Sequence, residues 1–441
     1  MAQIADVKSD HEFLSPVDPI PVWFIEFMDG TVLSPEHATS CTVESPESGR
    51  HDCVVTWSGF DKAGHDSLRV TATVTVAPRA SESRWRIAVS GLGGIAPRRI
   101  IFPRLGPIAE QSGETLAVPQ WIGESTTQAR TMLNPASGES QRREWEYPGT
   151  LSMQFLTLYG DEAGLLLSTD DTALKAKRFA VFGGGLGMEV SHLVPVGKVA
   201  QENFDPGYDV LIQTFNGDWY TAAALYREWA MKQWWVEQSR VRTGQVPDWV
   251  RDTGVWVWNR GPSPGVLGPA IALQEHAGLP VSVFWHWWHG CAYDVGFPEY
   301  LPPREGAEPF REAVADAQTH GINAIVYMNQ RLWGMTTESW KERDAARYAV
   351  KQPDGSIAPE VYNTFVKAPS ASMCMGTEFW RDTYATLAEE VVCDLGVSGI
   401  YMDQACSSLA CYDPSHGHPL GGGTYWMEGF KALEGDIRDR C

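Results

Sequence analysis

The sequence predicts an α+β multidomain protein in which an N-terminal antiparallel β-sandwich precedes a partial (β/α) barrel. Three observations carry this prediction. Up to about residue 215, apolar and polar residues alternate with a period of two in short runs that are separated by turn formers. One stretch after residue 216 has a helical period instead. From residue 249 onward, near-continuous apolar runs alternate with helix-like segments.

The first region, residues 1–215, contains alternating runs at 22–27, 53–57 and 68–76. Alternation means that one face of each strand is buried while the other faces water. Antiparallel sheets packed face to face therefore fit best, and a β-barrel is the alternative.

A connecting helix and linker are predicted for residues 216–247. Trp219, Ala222, Tyr226 and Trp229 recur at steps of three and four residues, which is the spacing of an amphipathic helix. Asp218 directly precedes this pattern and is a plausible N-cap.

Residues 248–441 are predicted to form a TIM-type barrel segment of about four βα units. Apolar runs at 254–258, 281–285, 323–328 and 397–403 predict strands, and residues 307–320, 378–395 and 425–440 predict helices. No GxGxxG or Walker loop is found, so nucleotide binding has no support. A complete (β/α)₈ barrel takes roughly 250 residues. We therefore expect the N-terminal half of a barrel within a fragment of a longer protein, with a complete small-sheet fold as the alternative.

Charge and cysteine content narrow the function classes. The net charge of −20 argues against nucleic acid and against an anionic membrane surface, and favours a neutral or cationic ligand. No long apolar run and no signal-like start are present. The eight cysteines lack CxxC spacing, which predicts free thiols in a cytoplasmic protein. A Cys41–Cys53 bridge is the alternative for an exported protein, and the sequence leaves the oligomeric state open.

Polar and aromatic residues follow the predicted strands, where barrel enzymes hold their catalytic groups. Asp403, at the end of the fourth strand, is the candidate catalytic residue, and a structural carboxylate is the alternative. Trp faces match the C–H face of a pyranose, and amides both donate to and accept from hydroxyls. The predicted sugar-binding residues are Trp258, Asn259, His286, Trp287, His289, Asp294, Asn329, Arg331 and Gln404. A packed aromatic cluster is the alternative for the two histidines, and a salt bridge is favoured for Arg331.

The loop 411–418 contains His416 and His418, and Asp413 lies between them and Cys411. Two histidines and an aspartate suit Zn²⁺, and His286 and His289 are further possible ligands. A bare HxH is weak evidence for a metal without a further spaced ligand set. We therefore predict that His416 and His418 bind sugar, with ordering of the loop as the alternative, and no metal or cofactor is predicted.

The predicted sandwich, the segments Gly217-Asp218-Trp219-Tyr220 and Tyr226-Arg227-Glu228-Trp229, and the strand Gly399-Ile400-Tyr401-Met402-Asp403 together resemble glycoside hydrolases. The nearest resemblance is to an uncharacterised bacterial domain-of-unknown-function family. More distantly, the chain is similar to endo-α-N-acetylgalactosaminidases and α-galactosidases. The resemblance implies a retaining mechanism with Asp403 as the nucleophile. It places the acid/base on a later strand, which this chain does not contain.

The expected function is hydrolysis of O-glycosidic bonds by the intact parent protein, with a carbohydrate substrate. Two other classes remain open at this point. One is a metal-dependent hydrolase that uses the histidine-rich strand ends, and the other is a non-catalytic carbohydrate-binding fragment.

Overall fold

The structure of the chain is a computed structural model that describes residues 4–6, 11–15, 20–44, 52–61, 64–76, 80–133, 141–183, 185–199, 201–405 and 409–441. The chain divides into two compact units. The first comprises Met1–Glu237 with Pro419–Thr424, and the second comprises Gln238–His418 with Tyr425–Cys441. The boundary at residue 238 lies within the segment 216–247 that was predicted to connect two domains.

The first unit consists mainly of β-strands. In chain order they are β1 (Ala5–Asp6), β2 (His11–Glu12), β3 (Phe24–Phe27), β4 (Val32–Leu33), β5 (Ser40–Glu44), β6 (Asp52–Phe60), β7 (His65–Val76), β8 (Glu82–Ser90), β9 (Pro97–Leu105), β10 (Thr115–Val118), β11 (Glu124–Thr126), β12 (Arg142–Tyr147), β13 (Phe155–Tyr159), β14 (Gly164–Thr169), β15 (Lys177–Phe182), β16 (Gly187–Leu193), β17 (Pro195–Val196), β18 (Asn203–Phe204) and β19 (Val210–Phe215). The helices α1 (Trp219–Ala230) and α2 (Trp234–Glu237) follow.

Two large antiparallel sheets organise these strands. One has ten strands in the order β11-β10-β13-β14-β19-β8-β7-β6-β5, with β18 also paired to β8, and the other has six in the order β12-β15-β16-β9-β3-β4. Leu68, Val70 and Ala72 alternate along β7 with less buried residues, as the sequence period requires. One core cluster joins Val70 of the larger sheet to Phe102 of the smaller one, so the two sheets pack face to face. The predicted antiparallel β-structure is confirmed.

A buried polar network lies within this first unit. The Nε2–H of His192 donates to the carbonyl oxygen of Phe102 at 2.9 Å, and Nδ1 accepts a hydrogen bond from the Tyr208 hydroxyl at 2.8 Å. Burial lowers the pKa of His192 to about 4. The ring is therefore neutral at physiological pH.

Helix α1 packs against strands β13 and β14 of the first unit. Its N-cap Asp218 accepts a hydrogen bond from the backbone N–H of Tyr220 at 2.9 Å, which satisfies one of the unpaired donors of the first turn. Tyr226, on the buried face of the helix, packs against Phe155 and Leu166. The predicted helix and its N-cap are confirmed, but the helical pattern of residues 218–238 is divided between α1, which ends at Ala230, and the short helix α2.

The second unit alternates strands with helices. In chain order its elements are α3 (Asp248–Asp252), β20 (Val255–Arg260), α4 (Ser263–Ala277), β21 (Val281–His286), α5 (Ala307–Thr319), β22 (Asn323–Asn329), β23 (Leu332–Gly334), α6 (Glu338–Glu342), β24 (Ser370–Ser372), α7 (Glu378–Glu389), β25 (Gly399–Asp403) and, after β26 (Leu420–Gly421) of the first unit, α8 (Tyr425–Arg440). A π-helical turn, Glu390–Asp394, extends α7. In the described part of the chain, no helix is long and apolar enough to cross a membrane.

Four of these strands form a parallel sheet in the order β20-β21-β22-β25. The strand order follows the chain order without reversal, as it does in a (β/α) barrel, whereas a doubly wound sheet reverses its order. Val281, Val283 and Trp285 of β21 are buried in one core with Val266 of α4 and Phe310 of α5, so this face of the sheet is covered by helices. All four predicted strands are present. The antiparallel pair β23–β24 was not predicted.

The opposite face of the parallel sheet carries aromatic side chains. Trp258 of β20 is 54% exposed and Tyr401 of β25 is 42% exposed, although both are large and apolar. The rings of Phe284 and Tyr401 have centroids 4.3 Å apart, although β22 lies between their strands. Since neighbouring strands are separated by about 4.8 Å, these side chains converge over β22. We call this surface the aromatic face.

The cysteines of the described residues are free thiols, namely Cys41, Cys53, Cys291, Cys374, Cys393, Cys411 and Cys441, and Cys406 lies outside the described residues. Strand register pairs Cys41 with Trp57, several residues along β6 from Cys53. The Cys41–Cys53 bridge considered for an exported protein is therefore not formed.

Candidate active site

Asp403 is the last residue of β25 and pairs in register with Asn329, the last residue of β22. Its Oδ2 accepts a hydrogen bond from the Tyr327 hydroxyl at 2.9 Å and a longer one from Nδ2 of Asn329 at 3.5 Å. Among the described residues, both hydrogen bonds to this carboxylate reach Oδ2. That leaves Oδ1 as the oxygen that can act on a bound molecule.

The orientation of the Asn329 amide is determined by its backbone neighbours. Its Oδ1 accepts hydrogen bonds from the backbone N–H groups of Arg331 at 3.0 Å and Leu332 at 2.9 Å, so Nδ2 must point toward Tyr327 and Asp403. Asn329 is 1% exposed, and its own backbone N–H donates to the Tyr300 hydroxyl at 2.6 Å. The Asn329 side-chain amide is therefore a hydrogen-bond donor whose orientation is fixed by hydrogen bonds to neighbouring groups.

Arg331 holds the residue that follows Asp403. Its Nη2 donates to Glu360 Oε2 at 2.8 Å and to Gln404 Oε1 at 2.9 Å. Gln404 has a φ of +58°, a left-handed conformation that is uncommon for residues other than glycine. The salt bridge favoured for Arg331 from the sequence is confirmed, with Glu360 as its partner. Arg331, paired with Glu360, therefore holds Gln404 in this conformation next to the candidate catalytic residue.

His286 and Asp294 lie close enough to Asp403 for its charge to affect their pKa values. The His286 ring lies 4.0 Å from the Tyr327 ring, centroid to centroid. Burial lowers the pKa of His286, while the charge of Asp403 acts in the opposite direction. The pKa of Asp294 is raised, first by burial and then by the negative charge of Asp403. The structure therefore brings two of the predicted site residues into electrostatic contact with Asp403.

Two tryptophans lie near His286: the Trp258 ring is 6.1 Å from the His286 ring, centroid to centroid, and Trp287 is the next residue in the chain. Trp258 projects from the aromatic face, and the Arg260 guanidinium lies 5.7 Å from its ring centroid. Trp287, directly after β21, has a φ of +51°, and the Arg304 guanidinium lies 3.8 Å from its ring centroid. Cation–π contacts of this kind hold an indole ring in one orientation.

Two of the predicted sugar-binding residues, Asn259 and His289, do not lie on the aromatic face beside Asp403. Asn259 is in register with Trp285, on the helix-covered side of the sheet, and its amide donates to the carbonyl of Gly265 in α4 at 2.9 Å. His289 is fully buried against the rings of Phe297 and Tyr300, and burial lowers its pKa to about 4. Strand alternation explains Asn259, because adjacent residues point to opposite faces.

His416 and His418 are brought together with two cysteines. Nδ1 of His416 lies 3.3 Å from Sγ of Cys411, and Nε2 of His418 lies 3.2 Å from Sγ of Cys374. Cys374 was not predicted from the sequence, because it lies far upstream of the loop.

Tyr327 was not predicted as a site residue either, because it lies within the apolar run of β22. Its position two residues before Asn329 on the same strand face was the available signal.

A parallel sheet with a strand-end carboxylate beside aromatic side chains, preceded in the chain by antiparallel sheets, defines a glycoside-hydrolase-like protein. The chain belongs to the family described as Domain of unknown function (DUF6259), which matches residues 204–441.

Two curated relatives agree with this class. A Bacteroides thetaiotaomicron protein named "Putative glycoside hydrolase" is 24% identical over 391 residues, covering 87% of this chain and 56% of the relative. A Monosiga brevicollis protein named "Putative glycoside hydrolase 22789" is 24% identical over 251 residues, covering 50% of this chain and 21% of the relative. The chain thus spans about half or less of the length of these relatives.

Solved structures share the fold. The α-N-acetylgalactosaminidase of Bifidobacterium bifidum, in complex with Gal-NHAc-DNJ, aligns with a TM-score of 0.65 at 14% identity, covering 97% of this chain and 70% of that one. The GH36 α-galactosidase AgaA of Geobacillus stearothermophilus aligns with a TM-score of 0.50 at 10% identity, covering 97% of this chain and 62% of that one.

Proposed function

We propose that the whole protein is a retaining glycoside hydrolase that cleaves O-glycosidic bonds, with Asp403 as its nucleophile. The observation that carries this proposal is the Tyr327–Asp403–Asn329 group, formed where β22 and β25 end side by side. Carboxyl ends of parallel strands are where barrel enzymes hold their catalytic groups. In this proposal the parallel sheet belongs to the N-terminal half of a (β/α) barrel, which its strand order and the convergence of Phe284 and Tyr401 support.

The chemistry follows from the two oxygens of Asp403. A retaining glycosidase uses one carboxylate to attack the anomeric carbon, which forms a covalent glycosyl-enzyme, and a second group to protonate the leaving oxygen. Oδ1 of Asp403 makes the attack. Tyr327 and Asn329 keep Oδ2 in place, and their hydrogen bonds stabilise the carboxylate when it departs in the second step.

Other residues of the group contact the sugar. Trp258 and Trp287 stack on the C–H face of the pyranose. His286 is neutral because burial lowers its pKa, so it exchanges hydrogen bonds with sugar hydroxyls without charge. Asp294 accepts a hydrogen bond from a hydroxyl, and Gln404 lies beside the nucleophile. The names of the similar structures, an α-N-acetylgalactosaminidase and an α-galactosidase, make α-linked galactose and N-acetylgalactosamine the first substrates to test.

The test compares the full-length protein with its Asp403→Asn variant on aryl α-glycosides of galactose, N-acetylgalactosamine and glucose. We expect kcat to fall by roughly 10³-fold or more, as it does when a covalent nucleophile is removed. Asp354→Asn, in an exposed turn, is the matched control and should leave kcat unchanged. An Asp403→Asn variant as active as the control would remove Asp403 from its role.

Two further measurements test the retaining step. Azide added to an Asp403→Ala variant should restore turnover and yield a glycosyl azide of inverted configuration, because azide takes the place of the missing carboxylate. Nuclear magnetic resonance of the wild-type reaction should reveal a first product with the anomeric configuration of the substrate. An inverted first product would contradict a covalent intermediate on Asp403.

A further inference from the structure

One possible metal-ligand atom from each of Cys374, Cys411, His416 and His418 lies close to those of the other three. These four atoms all lie within 4.8 Å of one another. The three residues Cys374, Cys411 and His416 are buried, and His418 is half-buried. None of the four contributes to the Tyr327–Asp403–Asn329 group described above. We call them the Cys₂His₂ cluster.

Two separate segments supply the cluster. Cys374 lies between β24 and α7, and the other three residues lie in the segment between β25 and α8. Tyr425, the first residue of α8, positions two of them. Its hydroxyl accepts a hydrogen bond from the backbone N–H of Cys411 at 2.8 Å, and its ring stacks on His418 at 3.8 Å with an interplanar angle of 4°.

A glycine makes room for His418. A Cβ atom on Gly376 would lie 2.3 Å from Cδ2 of the His418 ring, well inside van der Waals contact. Because Tyr425 stacks on the same ring, His418 has little freedom to move away. Gly376 therefore allows the imidazole to come within reach of Cys374, two residues earlier in the chain.

The outer contacts of His416 and Cys411 are those of metal ligands. Nε2 of His416 donates to the carbonyl oxygen of Arg347 at 2.7 Å, which leaves Nδ1 with a lone pair directed at the cluster. Asp413 Oδ2 lies 3.6 Å from the same Nε2. The backbone N–H of Lys351 points at Sγ of Cys411 from 3.5 Å. Metal-ligating histidines characteristically donate their other ring nitrogen to a carbonyl or a carboxylate.

Two of the distances within the cluster are close to those of tetrahedral coordination. With Zn–S of about 2.3 Å and Zn–N of about 2.0–2.1 Å, the ligand atoms of a tetrahedral site lie roughly 3.3–3.8 Å apart. The Cys374–His418 and Cys411–His416 pairs, at 3.2 Å and 3.3 Å, lie at or just below the short end of this range, and all four ligand atoms lie within 4.8 Å of one another. Two thiolates and two imidazoles form the S₂N₂ set that selects Zn²⁺. Hydrogen bonding among the four is a weaker explanation, because thiols are poor donors and acceptors.

We propose that Cys374, Cys411, His416 and His418 bind one Zn²⁺ ion in a closed, structural site. Four protein ligands leave no open position for water or substrate, so the site stabilises the fold and performs no chemistry. The ion joins the segment before α7 to the segment before α8. This proposal is independent of the glycosidase proposal, because it involves neither Asp403 nor the aromatic face.

The test begins with the metal content of the full-length, tag-free, reduced protein. We expect one equivalent of zinc per chain by inductively coupled plasma mass spectrometry. Replacement by Co²⁺ should produce a thiolate-to-cobalt charge-transfer band and the intense visible bands of tetrahedral cobalt. Cys411→Ser and His416→Asn should lose the equivalent of metal. The matched controls Cys393→Ser, at an exposed thiol, and His276→Asn, at an exposed imidazole, should retain it.

A measurement on the wild type keeps the proposal testable if the ligand variants fail to fold. Zinc is removed by a chelator under reducing conditions, folding is followed by circular dichroism, and Co²⁺ is titrated back. We expect the thermal midpoint to fall on chelation and to recover with one equivalent of Co²⁺. Substoichiometric metal in reduced, folded protein, a cobalt spectrum without thiolate bands, metal retention by Cys411→Ser, or a Cys374–Cys411 disulfide in the native protein would each overturn the site.

Discussion

The Tyr327 hydroxyl donates a 2.9 Å hydrogen bond to Oδ2 of Asp403, although 76 residues separate the two in the chain. The contact exists because β22 and β25 are neighbours and register pairs Asn329 with Asp403, which places Tyr327 on the same face. A hydrogen bond from a neutral hydroxyl to a carboxylate orients the acceptor and fixes which oxygen remains available.

This contact predicts the behaviour of Tyr327→Phe. Loss of a hydrogen bond to a charged group costs about 1.5–3 kcal/mol. We expect kcat on an aryl glycoside to fall roughly 10–100-fold while KM changes little, because in the proposed mechanism the hydroxyl positions the nucleophile and does not bind the sugar. Steady-state kinetics and the rate of glycosyl-enzyme formation measure this. Tyr348→Phe removes a hydroxyl elsewhere in the same unit, where the ring stacks on Phe379, and serves as control. Equal losses in both variants would indicate a general structural effect.

The ion pair of Arg331 with Glu360 predicts a large change in stability. Arg331 is 6% exposed, so Arg331→Met leaves the Glu360 carboxylate without its buried partner. Glu360 is partly buried and keeps hydrogen bonds from the hydroxyls of Tyr362 and Ser372, so we expect the free energy of unfolding to fall by about 1.5–3 kcal/mol. Arg311→Met breaks an exposed pair with Glu308 and should cost only about 0–1 kcal/mol. Urea denaturation of both variants measures the difference, and similar values would show that the Arg331 pair is not buried in solution.

Replacing either of two glycines in α8 by alanine should change the free energy of unfolding in opposite directions. A Cβ on Gly429 would lie 2.2 Å from the backbone oxygen of Met375, which cannot move without shifting the chain. Gly429→Ala should therefore lower the free energy of unfolding by about 1–3 kcal/mol. Gly435 has open space at its Cβ position, so Gly435→Ala should raise stability by about 0.5–1 kcal/mol through helix propensity. Thermal and urea unfolding test the pair, and a stabilising Gly429→Ala would contradict the close packing of α8.

Because two histidines are buried, we expect the free energy of unfolding to decrease as the pH falls. Burial lowers the pKa of His192 and of His289 from 6.5 to about 4, so the unfolded chain binds protons between these values that the folded chain does not. Stability is therefore complete above about pH 6.5 and decreases as pH falls toward 4, by about 3 kcal/mol for each histidine. The carboxyls of Glu26 and Glu144 have pKa values lowered from 4.5, so their contribution is lost only below that value.

Urea unfolding from about pH 7.5 to about pH 4.5 measures this dependence. His192→Gln should flatten the curve, because the amide does not titrate. His320→Gln, at an exposed imidazole, should leave the curve unchanged. A wild-type curve that is flat above pH 4.5 would show that neither histidine is buried in its neutral form in solution.

The parts of the candidate site that could be predicted are those whose position in a strand follows from the local sequence pattern. Asp403 was found because an apolar run ending in a carboxylate marks the end of a buried strand. Tyr327 was missed because a tyrosine within such a run is normally part of the core. Asn259 was predicted as a ligand from its strand-end location, yet register places it beside α4. A shift of one residue along a strand moves a side chain to the opposite face of the sheet. Only the strand register determines which residues face the helices and which lie on the aromatic face.

The sequence favoured sugar binding over metal binding for His416 and His418 for a similar reason. An HxH motif is weak evidence for a zinc site when no further spaced ligands accompany it. The other two ligands of the proposed zinc site are Cys411, within the same loop, and Cys374, which is brought in by the packing of α7 against α8. Neither cysteine is distinguishable by spacing from the others in the chain.

The sequence by itself determined the antiparallel β-rich first unit, the helix that begins after Asp218, the four parallel strands and the position of Asp403. These features depend on periodicities and caps that span a few residues, where local sterics and solvent exposure dominate. Only the tertiary structure decided that Tyr327 holds Asp403, that Arg331 and Glu360 support Gln404, and that two cysteines join His416 and His418. Those contacts connect residues far apart in the chain, and their geometry follows from strand register and helix packing, which no local pattern encodes.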